Sequence, residues 1–406
     1  MSIPNLRFKE FNTPWRPYLL KELVISLEAG VSVNSKGIPV KNQEIGVLKT
    51  SCISNGVFFP EENKQVVDEE VNRIKKSVKK NTLIISRMNT PRLVGELGYV
   101  EKNYDNLFLP DRLWELVPDT DFINAKWLAS ILTSFKYKSL IQSFGTGTSG
   151  SMKNIAKPEF LSLLINIPTI EEQVKISTFI GTMDRKIQLQ QERISLLKEQ
   201  KKGYMKKVFS QEMQFKNENG QEFPKWEKVK LGKLTKKTGK KNSKGIKYPV
   251  AAISNKKGFT LEGDRNFSNA NVDIKAYKLV HQNEFAYNPA RINVGSFGFQ
   301  NVTDTAIVSS LYVVFETLPE LLNSFLKVYM HSRYFNQDVI RNTEGSVREY
   351  LFYENFSNIK IPLPCVAEQE KIAEFLTKLD SKILLEEQCL EQLKNQKKAF
   401  MQKMFI

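Results

Sequence analysis

Apolar residues recur at alternating spacings of three and four along two long segments of the chain, which is typical of α-helices that bury one narrow stripe. The first stripe is Ile176, Ile180, Met183, Ile187, Gln190, Ile194, Leu197, Lys201, Tyr204 and Val208. The second is Ile372, Leu376, Leu379, Ile383, Glu386, Leu390, Leu393, Lys397, Phe400 and Met404. A 3.5-residue repeat over about four heptads predicts a coiled coil in which the two helices pair. The alternative is a pair of ordinary amphipathic core helices, which the shared polar interruptions disfavour.

The rest of the chain mixes strand and helix patterns. Short runs rich in β-branched and aromatic residues, such as 82–87 and 310–316, predict strands. Residues 124–143 and 321–341 have helical periodicity, and each is followed by a loop rich in glycine, serine or threonine. These patterns predict compact α+β domains joined by the long helices.

The chain repeats itself. When residues 164–209 are placed over 360–405, at an offset of 196, 19 of the 46 pairs are identical without a gap. The remainder repeats more loosely, with Trp15 over Trp226 at the start of an expected opening strand. Insertions and deletions in loops after a duplication explain the drift in offset.

The fold prediction is therefore α+β, with two similar domains alternating with two long helices in an internal pseudo-twofold repeat. The predicted boundaries are 1–165 for the first variable domain, 166–210 for the first helical region, 211–361 for the second variable domain and 362–406 for the second helical region.

Charge points to a polyanionic partner. The 60 Lys and Arg against 44 Asp and Glu give a net charge of +16, which favours nucleic acid, with an anionic membrane surface as the weaker alternative. No signal-peptide pattern or membrane-spanning stretch is present in the sequence, so a cytoplasmic location without membrane attachment is expected. The three cysteines lack CxxC spacing, so we expect reduced, packed thiols and no zinc site.

Each candidate catalytic motif lacks a residue or a structural element that its chemistry requires. GTGTSG at 145–150 matches GxGxxG, but a helix pattern precedes it where a dinucleotide site requires a strand. The same loop has Ser151 in the place of the P-loop lysine. The segment 288–291, Asn-Pro-Ala-Arg, lacks the aromatic residue of an adenine methyltransferase motif, and the two histidines have no partners at ligand spacing. We expect no catalytic residues and no metal site.

A lysine-rich run suggests contact with phosphates. Residues 225–247 contain ten lysines and one acid, Glu227, and the candidates for DNA contact are Lys236, Lys237, Lys240, Lys241 and Lys244. The alternative is a solvated basic face.

Base reading requires forked or amide side chains on loops. The leading candidates in the first half are Arg87, Asn89 and Arg92, and in the second half Asn288, Arg291 and Asn293. Further DNA-contact candidates are Ser54, Asn55, Lys153, Ser254, Asn255 and Arg348. For any single arginine the alternative is a pair with a nearby acid such as Glu96.

The order of a variable domain, a Pro-x-x-x-Glu-Gln helix, a second variable domain and a second such helix resembles the specificity subunit of type I restriction-modification systems. The residues that carry this resemblance are Pro168, Glu172, Gln173, Pro364, Glu368 and Gln369, with the tryptophans of the two openings. It spans the whole chain.

The resemblance implies two target-recognition domains that each read one part of a split double-stranded DNA site. It also implies an antiparallel coiled coil that sets the gap between those parts. Methylation subunits, two copies being expected, would bind the helical regions. The residues assigned to helix-helix pairing and to the partner-subunit region are Ile176, Ile180, Met183, Ile187, Ile194, Leu197, Ile372, Leu376, Leu379, Ile383, Leu390 and Leu393. Restriction subunits would join the methylation subunits, and S-adenosylmethionine, ATP and Mg would belong to these partners, with no cofactor in this chain.

Two rival functions remain open. One is a self-sufficient restriction or modification enzyme with degenerate motifs, and the other is a coiled-coil adaptor without DNA specificity. Because the two variable domains differ in sequence, DNA recognition by this chain predicts an asymmetric split target and not a palindrome.

Overall fold

The computed structural model describes residues 4–41, 44–147, 151–255, 258–261, 273–343 and 350–405. The chain divides into two compact units, of which the first is 1–191 with 388–406 and the second is 192–387. Each unit therefore contains one variable domain with part of both long helices. No helix among the described residues is long and apolar enough to cross a membrane.

The first unit is built on a six-stranded sheet and smaller sheets around it. Its strands are β1 Arg16–Leu19, β2 Val24–Ala29, β3 Gly46–Leu48, β4 Ile53–Ser54, β5 Gly56–Phe58, β6 Asn63–Gln65, β7 Ser77–Val78, β8 Leu83–Ser86, β9 Met88–Asn89, β10 Leu97–Tyr99, β11 Tyr104–Phe108, β12 Leu113–Pro118, β13 Lys153–Asn154 and β14 Leu164–Ile167. The main sheet has the order β2-β12-β8-β10-β5-β4, and a second sheet has the order β6-β3-β11-β7.

Three short helices cover the main sheet of the first unit, and the first long helix follows them. They are α1 Ala125–Leu132, α2 Phe135–Ser143, α3 Lys157–Leu161 and the long α4 Ile170–Phe209. Trp15 and Trp127 are fully buried and meet edge to face, and Phe160 packs in the same core. The predicted strand at 82–87 and the predicted helical stretch at 124–143 are confirmed.

The second unit repeats this plan with fewer strands among the described residues. Its elements are β15 Glu227–Lys230, β16 Thr235–Lys237, β17 Ala251–Ser254, β18 Gly258–Leu261, β19 Lys278–His281, β20 Phe285–Tyr287, β21 Phe297–Phe299, β22 Thr305–Val308, β23 Val313–Thr317, α5 Asn323–Met330, α6 Arg333–Asn342, α7 Tyr353–Asn358, β24 Lys360–Leu363 and α8 Val366–Met404. Its main sheet has the order β16-β23-β20-β21, which matches β2-β12-β8-β10 of the first unit.

The two opening strands form where the tryptophan segments predict them. Strand β1 pairs antiparallel with β14, and β15 pairs in the same way with β24. Each opening strand therefore closes its variable domain against the strand that leads into the next long helix.

The side chains of the two helical stripes are shielded from solvent, as the 3.5-residue repeat predicts. All twenty stripe positions are buried or half-buried, and Ile176, Ile180 and Ile372 are among the most deeply buried. Each helix runs without interruption, over 40 residues in α4 and 39 in α8.

In the first unit the early part of α4 pairs with the late part of α8. The rings of Phe179 and Phe400 meet edge to face with their centroids 5.1 Å apart, and Lys397 donates to Asp184 at 2.5 Å. The contact partner moves backward along α8 as α4 advances, so the pairing is antiparallel.

The second unit contains the same two contacts, displaced by 196 positions. Tyr204 and Phe375 meet edge to face at 5.1 Å, and Lys201 donates to Asp380 at 2.5 Å. The pairing in this unit is antiparallel as well. The duplication is therefore preserved in individual contacts, which confirms the predicted internal repeat.

The glutamine of each Pro-x-x-x-Glu-Gln motif ties a long helix to the short helix of its own variable domain. The side-chain oxygen of Gln173 accepts from the backbone N–H of Asn124 at 2.8 Å, and that of Gln369 accepts from Leu322 at 2.9 Å. Each amide nitrogen donates to the carbonyl of the proline of its own motif. Both glutamines are fully buried, so these bonds replace those lost to water.

The glutamates of the two motifs differ in their surroundings. Glu172 is fully buried, and both of its oxygens accept from the guanidinium of Arg7, at 2.7 and 2.8 Å. The indole of Trp15 approaches the same carboxylate. Glu368 has the indole of Trp226 as its partner at 2.8 Å, and burial raises the pKa of Glu368. One buried carboxylate is thus paired with a cation, while the described contacts give the other only a neutral donor.

This difference predicts a large loss of stability in Arg7→Gln. Gln214 occupies the equivalent place in the second unit, so the variant copies a residue that the fold already accepts. Removing the cation leaves Glu172 buried without a compensating charge, which costs about 3 kcal/mol in the free energy of unfolding. Urea unfolding measures this change, and a loss below about 1 kcal/mol would show that Glu172 does not depend on Arg7.

Glu368→Gln is the matched control, and its expected effect on the free energy of unfolding at neutral to basic pH is opposite to that of Arg7→Gln. A carboxyl whose folded-state pKa is raised stabilises the fold below its unfolded pKa, and that contribution is lost as pH rises through the folded pKa. Glutamine keeps an acceptor for the indole and cannot ionise. The variant is therefore expected to be more stable than the parent at pH 8, with a smaller difference at pH 4.

Candidate nucleic-acid interface

A tight hairpin places Ser54 and Asn55 at the surface of the first unit. Asn55 and Gly56 form the two-residue loop between β4 and β5, and both have positive φ, 48° and 87°. Asn-Gly is the pair that a type I′ hairpin favours, because these residues tolerate left-handed backbone at the lowest cost. The backbone N–H of Asn55 donates to the Glu96 carboxylate at 2.8 Å, and Lys138 pairs with the same carboxylate. The hairpin tip is thereby fixed to the loop at 87–96.

The loop at 87–96 brings three of the sequence-predicted residues together. Asn89 lies opposite Lys153 in the β9–β13 pair, two residues after Arg87. The Asn89 amide is engaged locally, since it donates to Ser86 and accepts from the backbone of Thr90. The Lys153 amine also donates locally, to the carbonyl of Gly147 at 3.3 Å. Base reading by Asn89 or Lys153 would require these bonds to break, so Arg87 is the stronger candidate.

Arg87 is not paired with Glu96, which was the alternative interpretation. Glu96 is paired with Lys138, and the Nε of Arg87 is buried without a hydrogen-bond partner among the described residues. Arg92 is exposed on the same loop, and its carbonyl accepts from Gln142. Because this Nε is buried, a contact of the half-buried Arg87 with an acceptor outside the chain would have to be made by its terminal nitrogens.

The second unit has the same two parts, a hairpin and a loop at 288–296. Ser296 donates from its hydroxyl to the carbonyl of Ile253, which fixes the hairpin of Ser254 and Asn255 against the loop. The side chain of Asn288 accepts from the backbone of Ala290 and is used in the turn. The exposed members of this loop include Arg291, and Asn293 is half-buried. Arg348 lies outside the described residues.

The two candidate arginines do not occupy equivalent positions. The carbonyl of Arg87 accepts from Ile155, and the corresponding carbonyl in the second unit is that of Pro289, which accepts from Leu351. Arg291 lies two residues further along its loop. The two units therefore present their cations from different points of the same loop, as domains that read different sequences would.

The lysine-rich run separates into two groups. Lys236 and Lys237 pair with Glu316 and Glu354 at 3.2 and 2.9 Å, on an exposed surface where such pairs add little stability. The other candidates, Lys240, Lys241 and Lys244, are exposed and have no acidic partner among the described contacts.

The first unit also has a polar pocket that the sequence does not reveal. Its volume is about 400 Å³, and its lining includes four hydroxyls and three cations: Ser32, Ser35, Thr50, Ser51, Lys49, Lys64 and Arg112. The backbone N–H of Arg87 donates to the carbonyl of Arg112, so the pocket adjoins the candidate arginine. Its residues come from four separate segments, and no motif or spacing connects them.

We expect the replacement of each arginine to weaken sequence preference in a different part of the target. Arg87→Ala and Arg291→Ala should each relax specificity at positions within one part of the target, by about 1 to 3 kcal/mol if the guanidinium forks onto guanine. Competition binding with single-base variants of the target measures the effect. An equal loss for every sequence would mean that the arginine contacts phosphate.

The family of type I restriction modification DNA specificity domains matches the chain twice, over residues 12–199 and 224–395. These two matches cover both variable domains and most of both long helices. The chain belongs to this family. DNA target recognition is accordingly its function.

Known members of the family resemble the chain over most of its length. A putative type I restriction enzyme specificity subunit of Methanocaldococcus jannaschii is 25% identical over 337 residues, which is 79% of this chain and 76% of that protein. A second specificity subunit of the same organism is 27% identical over 279 residues, 64% of each chain.

The fold is also found in a solved specificity subunit. The crystal structure of the type I restriction-modification S subunit from M. genitalium superposes with a TM-score of 0.60 at 17% identity, covering 100% of this chain and 99% of that one. At this identity the likeness supports the architecture alone.

Proposed function

We propose that each unit of this chain reads one part of a split, asymmetric DNA target and that the chain itself performs no chemistry. The observation that carries the proposal is the duplication. Each unit has its own core, hairpin and loop, yet the candidate base-reading side chains differ between the two loops. Two similar domains with different loops suit two different half-sites.

The proposed partners are methylation subunits, two per chain, and restriction subunits. Leu189 and Leu385 support the number two, because they are identical in the repeat and exposed by 46% and 65% beside the covered stripe. Exposed apolar residues kept at equivalent positions suit two equivalent docking sites.

Catalysis and its cofactors are assigned to those partners in this proposal. S-adenosylmethionine, ATP and Mg would bind to the partner subunits, and this chain would select the DNA target site. Purified chain given S-adenosylmethionine and target DNA should therefore transfer no methyl groups. Methylation by the pure chain would favour the self-sufficient enzyme, and a complex without sequence preference would favour the adaptor.

Exchange of one variable domain tests whether each domain reads its own half-site. Replacing residues from about Pro14 to Phe160 with the equivalent segment of another family member should change one half-site and leave the other intact, because separate domains read separately. Methylated sites are mapped in cells that also express the methylation partner. The reciprocal exchange of residues 226–358 is the control and should change the other half-site. A change in both half-sites from either exchange would contradict independent reading.

A further inference from the structure

The second unit contains a groove of about 820 Å³ between the later part of α4 and the variable domain. One wall is the helix from Lys198 to Lys206. The other side is lined by the turn between α5 and α6 with the start of α6, and by the loop at 292–297. The apolar lining residues include the half-buried Met205.

The helical wall is strongly basic. Lys198, Lys202 and Lys206 follow one another at intervals of four residues, which places them on one face at steps of about 6 Å. Lys198 is held by Glu387 at 2.6 Å. Lys202 and Lys206 are exposed and have no acidic partner among the described contacts.

The opposite wall adds another cation. The exposed guanidinium of Arg333 lies over the ring of Tyr334 and has no acidic partner among the described contacts. One acidic side chain, Glu199, also lines the groove. Lys202, Lys206 and Arg333 therefore outnumber the single acid, and the groove should attract anions.

The groove is continuous with the loop that is predicted to read bases. Asn293 and Gly295 of that loop line its end, and the Cβ atom of Asn255 from the neighbouring hairpin lies close to Gly295. A duplex read by this loop would bring its backbone alongside the groove. The groove therefore adjoins the loop that is predicted to read bases.

A glycine in the helical wall is consistent with close approach of a ligand. Gly203 lies inside α4 and lines the groove, and a Cβ atom added there would meet no other atom within 4 Å. The equivalent residue of α8 is Ala399. Glycine weakens a helix, and packing within the described chain does not require it here.

We propose that this groove binds the sugar-phosphate backbone of the target DNA. Lys202, Lys206 and Arg333 contact phosphates, and the apolar side chain of Met205 lies against the deoxyribose. The first long helix then binds DNA directly in addition to connecting the two units. The inference rests on the proposed function, since it assumes that the loop at 288–296 reads bases.

The salt dependence of binding tests it. The complex of the full chain with its methylation partner is titrated with target and non-target duplexes at several salt concentrations. The slope of log K against log salt is negative, and each lost phosphate contact reduces its magnitude by about 0.9. Lys202→Ala/Lys206→Ala/Arg333→Ala should therefore reduce the magnitude of the slope by about two to three, equally for both duplexes.

Two control variants separate this contact from general charge. Lys216→Ala/Lys360→Ala/Lys382→Ala removes three exposed lysines of the same unit, outside both the groove and the lysine-rich run, and should change the magnitude of the slope by less than one. Glu199→Gln removes the acid from the groove and should raise affinity for both duplexes. A loss of folding cannot produce such a gain.

The outcomes are distinct. Equal slopes for the groove variant and the lysine control would overturn the inference. An unchanged slope with loss of the methylation partner, measured by mass photometry, would assign the groove to that protein and also overturn it. If the parent complex prefers no sequence, the proposed function fails instead, and this is visible in the same titrations.

Discussion

A chain with four helix-forming residues inserted after Glu192, together with its methylation partner, is expected to methylate a target whose two parts lie one or two base pairs further apart. Four residues add about 6 Å of helix, close to two base-pair steps of about 3.4 Å. They also turn the far end by about 40°, which is close to the rotation of one base-pair step. Both changes favour a longer gap with unaltered half-sites.

The insertion should leave the chain folded. A four-residue insertion in a heptad pattern unwinds a coiled coil locally without destroying it. Contacts such as Lys397 with Asp184 and Lys201 with Asp380 lie away from the insertion and retain their register within each unit. A paired variant with a second insertion after Gln388, at the repeat-equivalent position, lengthens both helices by the same amount. An active variant with the original gap would refute the helix as a spacer.

The double variant Leu189→Lys/Leu385→Lys is expected to lose more than 100-fold of its methylation activity. Both leucines are exposed and identical in the repeat, so a charge at each should expel a partner subunit that buries them. Each single variant should lose one partner copy. Mass photometry of the complex counts the copies, and methyl transfer to target DNA measures activity.

Leu196→Gln is the control for this variant. Leu196 is exposed by 65%, but the equivalent residue in α8 is Gln392. The change therefore copies a residue that the repeat already accepts, and the complex should keep its full mass. If both lysine variants retain two partners, the leucines are not the docking sites.

Features that depend on local periodicity or on the repeat could be predicted from the sequence. The stripe from Ile176 to Val208, the opening strands after Trp15 and Trp226 and the helices at 124–143 and 321–341 all appear in the structure. Each depends on neighbours a few residues apart, so the pattern itself contains the information. The expectation of packed thiols was wrong for Cys389, which is exposed.

Features that depend on distant segments could not be predicted. The pairing of Glu96 with Lys138, and not with Arg87, follows from the placement of α2 against the hairpin. The polar pocket around Arg112 and the groove beside Lys202 gather residues from several segments. Sequence offset also could not show that Arg87 corresponds to Pro289, because the loops differ in length. Which of these side chains contact bases remains a prediction.

Methylome sequencing of cells that express this chain with its methylation partner determines whether the chain selects a split DNA site. We expect one methylated motif with two different defined parts, separated by a fixed run of unspecified bases, and no such motif when either protein is omitted. A continuous or palindromic motif, or methylation at the same sites without this chain, would contradict this expectation.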